Sequence, residues 1–547
     1  MNPTIFNTGS NKNISRANTL NKAGGHAYKL NPHAALAKYA CTGTLGRTYY
    51  DSPSDETVWA QLEDTLELCE QVEPEFIAAC ALYSHEVAYM KDMPALLLAI
   101  LGARDSHLLH RIFNRVITNG KMLRNFCQVV RSGALKSKKE TQTNSKAFTS
   151  QSKKLVCKWL QSRSDIDLLK NSIGSNPTLG DIINMVHPKP VDEKQSAMFS
   201  YLIGRPFDVN LLSPLVKDYI NAKEGGPVTE LMLLGLPHRL LTGFSLSALQ
   251  WQSIAISSNW TSKRMGLNTF TRNKVFEGEF GEQVTKIIAS ALKDSLKIDK
   301  AKAFPYQILT AWSSLDPAAP EAIGEALEEA MEIAISRTPT IEGNMVVLVD
   351  VSASMNHPVT GYLKGRSSKT TCTLVASLAA SALLRKNPTN CEVIAFDDKV
   401  YETEVDPAKT VMANAEKLSN YGGYGTMTSC GIRHLNKIGH KGDLVIIISD
   451  NESWCNWSGD PRHELSDIAT PTSTLTEWRG YLERNPEAKL VCLDITPSSN
   501  SQAPDESNII NIGGFSDNVF GVIESFTREN GSEDYWVRKI RDFWAVN

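Results

Sequence analysis

Two textures of apolar spacing divide the chain near residue 340. Before it, apolar residues recur three and four apart, the period of a helix with one buried face. In DSPSDETVWAQLEDTLELCEQV (51–72), Val58, Leu62, Leu66 and Cys69 line one such face. Ser54 is placed to cap that helix, and Asp55 and Glu56 suit the positive end of its dipole. Similar segments follow at 74–88, 93–102, 107–118, 122–132, 153–171, 179–186, 211–222, 229–235, 245–256, 281–298 and 320–335. Short loops with Gly or Pro separate many of them. The pattern predicts an array of antiparallel helices, an α-solenoid or a degenerate helical repeat.

After residue 340 the spacing becomes that of buried strands alternating with helices. Strands are expected at MVVLVD (345–350), CEVIAFD (391–397), DLVIIISD (443–450), KLVCLDI (489–495) and NIINIG (508–513). Helices are expected at 370–386 and near 428–438, a long polar insertion before the fourth strand, and a helical C-terminus. Continuous apolar strands between helices specify a doubly wound, mostly parallel sheet. Ligands of such sheets sit beyond the carboxyl ends of the strands.

A length of 547 residues calls for about two to four domains. The expected division is a polar, Asn-rich flexible arm (1–25), a helical module (26–340) and an α/β domain (341–547). No uncharged apolar run is long enough for a membrane span, and the arm lacks the apolar core of a signal peptide. Ten scattered cysteines without a CxxC pair predict free thiols in a reducing cytoplasm. The net charge of −3 hides an asymmetry: 19 Lys/Arg against 27 Asp/Glu in 341–547, and 38 against 33 before it. Within the helical part, residues 121–163 hold eleven Lys/Arg and one acid, Glu140. That concentration suits a polyanion, although a solvated surface loop remains the plain alternative.

Candidate chemistry gathers at the strand ends. Asp350, Ser352 and Ser354 follow the first strand, Asp450 ends DLVIIISD, and Thr426 lies in the loop GGYGTMT. Two carboxylates and three hydroxyls at one sheet edge are hard oxygen donors suited to a divalent cation such as Mg²⁺. D-V-S-A-S, the threonine loop and IISD together resemble the metal-ion-dependent adhesion site of von Willebrand factor A domains, over residues 341–547. The resemblance implies that Ser352, Ser354 and Thr426 ligate the ion directly, with Asp350 and Asp450 acting through water. Met427 and Thr428 stand where some relatives carry Asp or Asn.

Four further motifs sharpen the resemblance. KYACTGTLGRTYY (38–50), DIINMVHPKP (181–190) and KAFPYQILTAW (302–312) are similar to segments of the TROVE module, and NIGGFSDNVF (511–520) resembles the end of the same family's A domain. The stretch 227–249 matches less clearly. The order resembles that of the Ro 60-kDa autoantigen family, including its bacterial orthologues. That resemblance implies a ring of HEAT-like helical repeats closed by the A domain, binding Y RNA or a Y-like RNA outside and single-stranded 3′ ends of misfolded RNA in a basic hole. It implies a ribonucleoprotein scaffold for RNA quality control or processing, and admits a 3′ exoribonuclease such as polynucleotide phosphorylase as a partner. Lys136, Lys138, Lys139, Lys153, Lys154, Lys158 and Arg163 become candidate phosphate contacts, and His187 matches a position associated with Y RNA. No P-loop, HExxH or GxSxG motif is present, so a catalytic role is not expected. A metal-dependent protein-interaction scaffold without RNA is the alternative reading.

Overall fold

The computed structural model describes residues 14–43, 60–131, 135, 149–174, 176–336, 338–361, 369–454, 470–516, 518–529 and 534–547. Ser54, residues 44–50 of the first TROVE-like motif and residues 1–13 of the expected arm lie outside them. Between Pro32 and Ile335 the described chain forms helices joined by short turns, with no strand among the described residues. The helix Ser106–Val116 shows why: Leu108, Leu109, Ile112, Phe113 and Val116 are buried at helical spacing, and Asp105 caps the backbone N–H groups of His107 and Leu108.

Two expected helices are each two. The segment 153–171 breaks into Ser150–Gln161 and Asp165–Asn171, because Ser164 accepts from Asp167 N and starts a new helix. The segment 281–298 breaks into Gly281–Leu292 and Ser295–Ala301, where Asp294 caps Lys297 N. Helices at Pro32–Thr42, Glu193–Leu202 and Trp260–Arg272 were not anticipated. The first is buried on nearly every side and so shows no amphipathic stripe. In the last, the buried stripe at 260, 263, 266, 267 and 270 is disguised by a lysine and a glycine.

The α/β domain begins ten residues after the last helix of the module. Its sheet has the order β5-β4-β3-β6-β7-β9, with β3 Met345–Asp350, β4 Cys391–Phe396, β5 Val400–Tyr401, β6 Leu444–Ser449, β7 Lys489–Asp494 and β9 Ile509–Gly513. Every pairing is parallel except the β4–β5 edge hairpin. Strands β3 and β6 are buried along their full length, as their unbroken apolar runs require. Helices Val411–Ser419 and Ser473–Leu482 join those expected.

Residues 14–25 correct the expectation of a free arm. Strand β1, Thr19–Leu20, pairs with β2, His26–Lys29, which pairs in turn with β8, Asn500–Ser501. The Asn21 side chain donates to Ser453 O at 2.8 Å, and Ala23 N donates to Glu452 Oε2 at 3.0 Å. Polar composition suggested solvent here, but backbone pairing satisfies these groups instead.

Both ends of the helical module meet the α/β domain. At the first end, Lys38 forms a fully buried ion pair with Asp494 and donates to Asn500 O at 3.0 Å. A Cβ on Gly513 of β9 would lie 2.8 Å from Thr42 Cγ2, so only glycine permits that approach. The C-terminal helix Tyr535–Val546 packs alongside, with Phe543 edge-on to Tyr83 and Arg541 bonded to Glu73 at 3.0 Å. At the other end, Glu332 binds Arg385 Nε and Val411 N, and Tyr306 meets Phe515 at 4.9 Å. Tyr89 and Phe304, from the two ends of the array, touch directly with ring centroids 4.4 Å apart. The helical path therefore closes on itself at this contact, with the α/β domain joined to both ends.

Candidate functional site

The chain leaves β3 for β4 on one side and returns to β6 on the other, so a crevice opens between the carboxyl ends of β3 and β6. Asp350 closes β3. Its Oδ1 accepts from Ser352 N at 2.9 Å and its Oδ2 from Ser449 Oγ at 2.5 Å. A 3-10 turn over Ala353–Asn356 brings the buried Ser352 and Ser354 hydroxyls to 3.2 Å. The Ser354 hydroxyl hydrogen-bonds Asp450, whose Oδ1 also accepts from Glu452 N at 3.2 Å.

Thr426 arrives by a loop that only glycine allows. Gly422 has φ 72, and a Cβ there would lie 2.5 Å from Val351 O. Gly423 N donates to Val351 O at 2.8 Å, and Ala353 N to Tyr424 O at 2.9 Å. Thr426 O accepts from Trp454 N at 3.1 Å. Thr426 is thus buried between the 350–354 and 450–454 loops, and the structure brings all five expected oxygen-bearing residues to one crevice. Met427 is buried, its N–H held by Asp397 O at 2.8 Å, and Thr428 N donates to Ser453 Oγ, so the loop is anchored without an acid at either position.

Burial raises the pKa of Asp350, and repulsion from Asp450 raises it further. Burial raises Asp450 as well, against the opposing Ser354 hydrogen bond. Two buried carboxylates, Asp350 crowded by Asp450 and Asp450 by Asp494, fit a cation beside them. The Thr428 and Ser429 hydroxyls are buried there without hydrogen-bond partners. The described residues hold no group of three or more His, Cys, Asp or Glu placed to bind a metal ion, and the crevice itself is lined by hydroxyls and carboxylates.

Several residues here escaped sequence reasoning. Ser449 clamps Asp350. Asn451, in the left-handed region at φ 67, donates from Nδ2 to Asn500 O at 3.0 Å and reaches Asp494 Oδ2 at 3.4 Å. Burial and then Asp450 push the Glu452 carboxyl up to about 8. His357 Nδ1 lies 2.5 Å from Ser354 O and its Nε2 3.3 Å from Cys372 Sγ, which fixes the serine turn. The signal available for the first three was the polar run SDNES directly after an apolar strand. The nine described cysteines are all free.

The basic candidates form a second locus. Lys136, Lys138 and Lys139 lie outside the described residues. Lys153, Lys154 and Lys158 stand on the helix Ser150–Gln161, with Lys154 and Lys158 exposed. Positions 154, 157, 158 and 161 share one face of it. On that face Cys157 Sγ meets Val186 O at 3.5 Å, and Gln161 Nε2 donates to Lys189 O at 2.7 Å. The same contacts bring His187 alongside. It is exposed and ends the helix Leu179–Val186 in the left-handed conformation, at φ 49 and ψ 61. Arg163 sits differently, half-buried with its guanidinium 4.5 Å from the Trp159 ring centroid.

A helical array closed by a doubly wound domain with this crevice defines a helical-repeat protein joined to a von Willebrand factor A domain. Residues 344–527 match the family model of the Ro60 vWA domain. The chain as a whole has the Ro fold. It is similar to the crystal structure of the Deinococcus radiodurans RO (RSR) protein, with a TM-score of 0.58 and 18% identity over 91% of this chain and 99% of that one. No helix among the described residues is long and apolar enough to cross a membrane.

Proposed function

We propose that this chain is a Ro60-type RNA-binding protein of the cytoplasm. In this reading the outer surface takes a Y RNA or Y-like RNA, and the ring takes single-stranded 3′ ends of misfolded RNA. The particle serves RNA quality control or processing as a scaffold rather than a catalyst, with a 3′ exoribonuclease such as polynucleotide phosphorylase as a fitting partner. A divalent cation, Mg²⁺ by donor hardness, would be held by Ser352, Ser354 and Thr426, with Asp350 and Asp450 acting through water. It would supply an open coordination position for an acidic group.

The observation that carries the RNA reading is the exposed pair Lys154 and Lys158 on the helix face that packs beside His187. Ammonium groups on a rigid helix can track phosphates, releasing counterions as they bind. The test is Lys153→Ala, Lys154→Ala and Lys158→Ala together, with affinity for a structured RNA and for oligouridylate measured across salt. The slope of log affinity against log salt should shrink by about 0.7 per lost contact for a single strand and about 0.9 for a duplex. Unchanged slopes for both ligands would sink the reading.

A further inference from the structure

Eight of the fifteen large apolar side chains exposed among the described residues lie between Leu231 and Leu296. Exposed aliphatics standing singly are ordinary, but two of these eight, Ile256 and Ile287, line one cavity together. Within this region the helices Ala248–Ser257, Trp260–Arg272, Gly281–Leu292 and Ser295–Ala301 line an open-sided cavity of about 990 Å³. Positions 283, 286, 287 and 290 recur at helical spacing on one face of Gly281–Leu292, and all of them line the cavity. An isoleucine at 287, 38% exposed, stands where a surface helix ordinarily carries a polar residue. Ile256, 42% exposed, lines the same cavity.

The wall around this aliphatic floor is cationic: four lysines line it against one acid, Asp294. Lys263 is committed to the fold, its ammonium 2.7 Å from Ile256 O, where it satisfies the end of a helix. Lys286 pairs with Glu282 at 2.6 Å and Lys297 with Asp294 at 2.9 Å. Both pairs are largely exposed and bind weakly enough to exchange for an incoming carboxylate. Lys300 is exposed.

We infer that this cavity docks an acidic amphipathic helix of a partner protein. Its aliphatic face would rest on Ile256 and Ile287, and its flanking carboxylates would meet Lys286, Lys297 and Lys300. A hydrophobic groove rimmed by one sign of charge is the complement of such a helix. Single-stranded RNA would gain phosphate contacts alone here, because the cavity offers no exposed ring face for stacking. The cavity's one aromatic, Trp260, is 5% exposed and donates its Nε1–H to Leu292 O at 2.9 Å.

The test uses the full chain and fluorescence anisotropy with a labelled synthetic helix carrying leucine at i, i+3, i+4 and i+7 and glutamate on its flanks. Saturable binding is expected. It should weaken at least about tenfold with Ile287→Asp, which changes a part-exposed side chain, and several-fold with the triple variant Lys286→Ala, Lys297→Ala, Lys300→Ala. The same helix with lysine for glutamate should not bind. If Ile287→Asp lowers the melting midpoint, the triple variant alone decides. No saturable binding, equal binding of the two helices, or displacement of the acidic helix by oligouridylate at this cavity would each overturn the inference. RNA affinity of the triple variant is measured in parallel, and it should stay at the wild-type value.

Discussion

The A domain keeps its charged chemistry inside, and the helical module keeps its chemistry outside. Asp350, Ser352, Ser354, Thr426 and Asp450 are all nearly inaccessible, whereas Lys154, Lys158 and His187 face solvent. The difference teaches what each region can recognise. Buried donors select a small ion by geometry and are costly when unmatched. Exposed cations select a polyanion by spacing and lose strength as salt rises.

The joint between the regions should behave as interior, and this is the sharpest way to break the comparison. Lys38→Met leaves the Asp494 carboxylate buried without its cation, a loss of about 3–5 kcal/mol. The thermal melting midpoint should drop by several degrees. Lys38→Met with Asp494→Leu should recover much of it, because an apolar pair of similar volume needs no compensation. A midpoint unmoved by the single change would mean that the joint is open to water.

Under the proposed metal reading, Mg²⁺ should raise the melting midpoint, and Ser352→Ala with Ser354→Ala should abolish that rise. The metal-free midpoint should itself fall somewhat, because the two hydroxyls also hydrogen-bond the buried Asp350 and Asp450 carboxylates. Retention of the Mg²⁺ response would refute the metal site and leave the RNA surface untouched.

His187 separates backbone from side chain on the exposed surface. Its φ of 49 costs an L side chain about 1–2 kcal/mol that glycine avoids, offset in part by glycine's freedom when unfolded, so His187→Gly should keep or slightly raise the melting midpoint. RNA affinity should fall nonetheless if the imidazole is a contact. Equal affinity would reduce His187 to a helix terminator.

The smallest effect concerns pH. Burial pushes Asp505 up to about 6, against hydrogen bonds from Asn511. The folded state then holds this proton more tightly than the unfolded chain, whose carboxyl titrates near the ordinary value. Stability from this group is full at low pH and is lost as pH rises through about 6. Asp505→Asn should flatten that part of the melting-midpoint profile, and an unaltered profile would show that the carboxyl is solvated.

These contrasts also explain what could be read before the structure. The strands of the A domain were legible because β3 and β6 are apolar along their whole length, and the DVSAS, threonine and SD elements carry their own spacing. Asn451 and Glu452 were not, because their roles depend on β8 and on the N-terminal hairpin, which local pattern does not reveal. In the module, helices with one buried stripe were legible, while Pro32–Thr42 was hidden by burial on all sides. The joining of Lys38 to Asp494 is a tertiary fact that no local spacing encodes. His187 stood out only through its motif, and its left-handed backbone had no separate mark.

That joint has a consequence for the order of synthesis. Lys38 and Asn500 are 462 residues apart, and a ribosome delivers them at opposite ends of its work. While the helices emerge, the ammonium of Lys38 remains hydrated and the face of Pro32–Thr42 remains uncovered, since β7, β8 and β9 do not yet exist. A nascent chain therefore carries a helical array whose ends can already meet at Tyr89 and Phe304, but whose apolar seam along Pro32–Thr42 stays exposed until the last strands arrive.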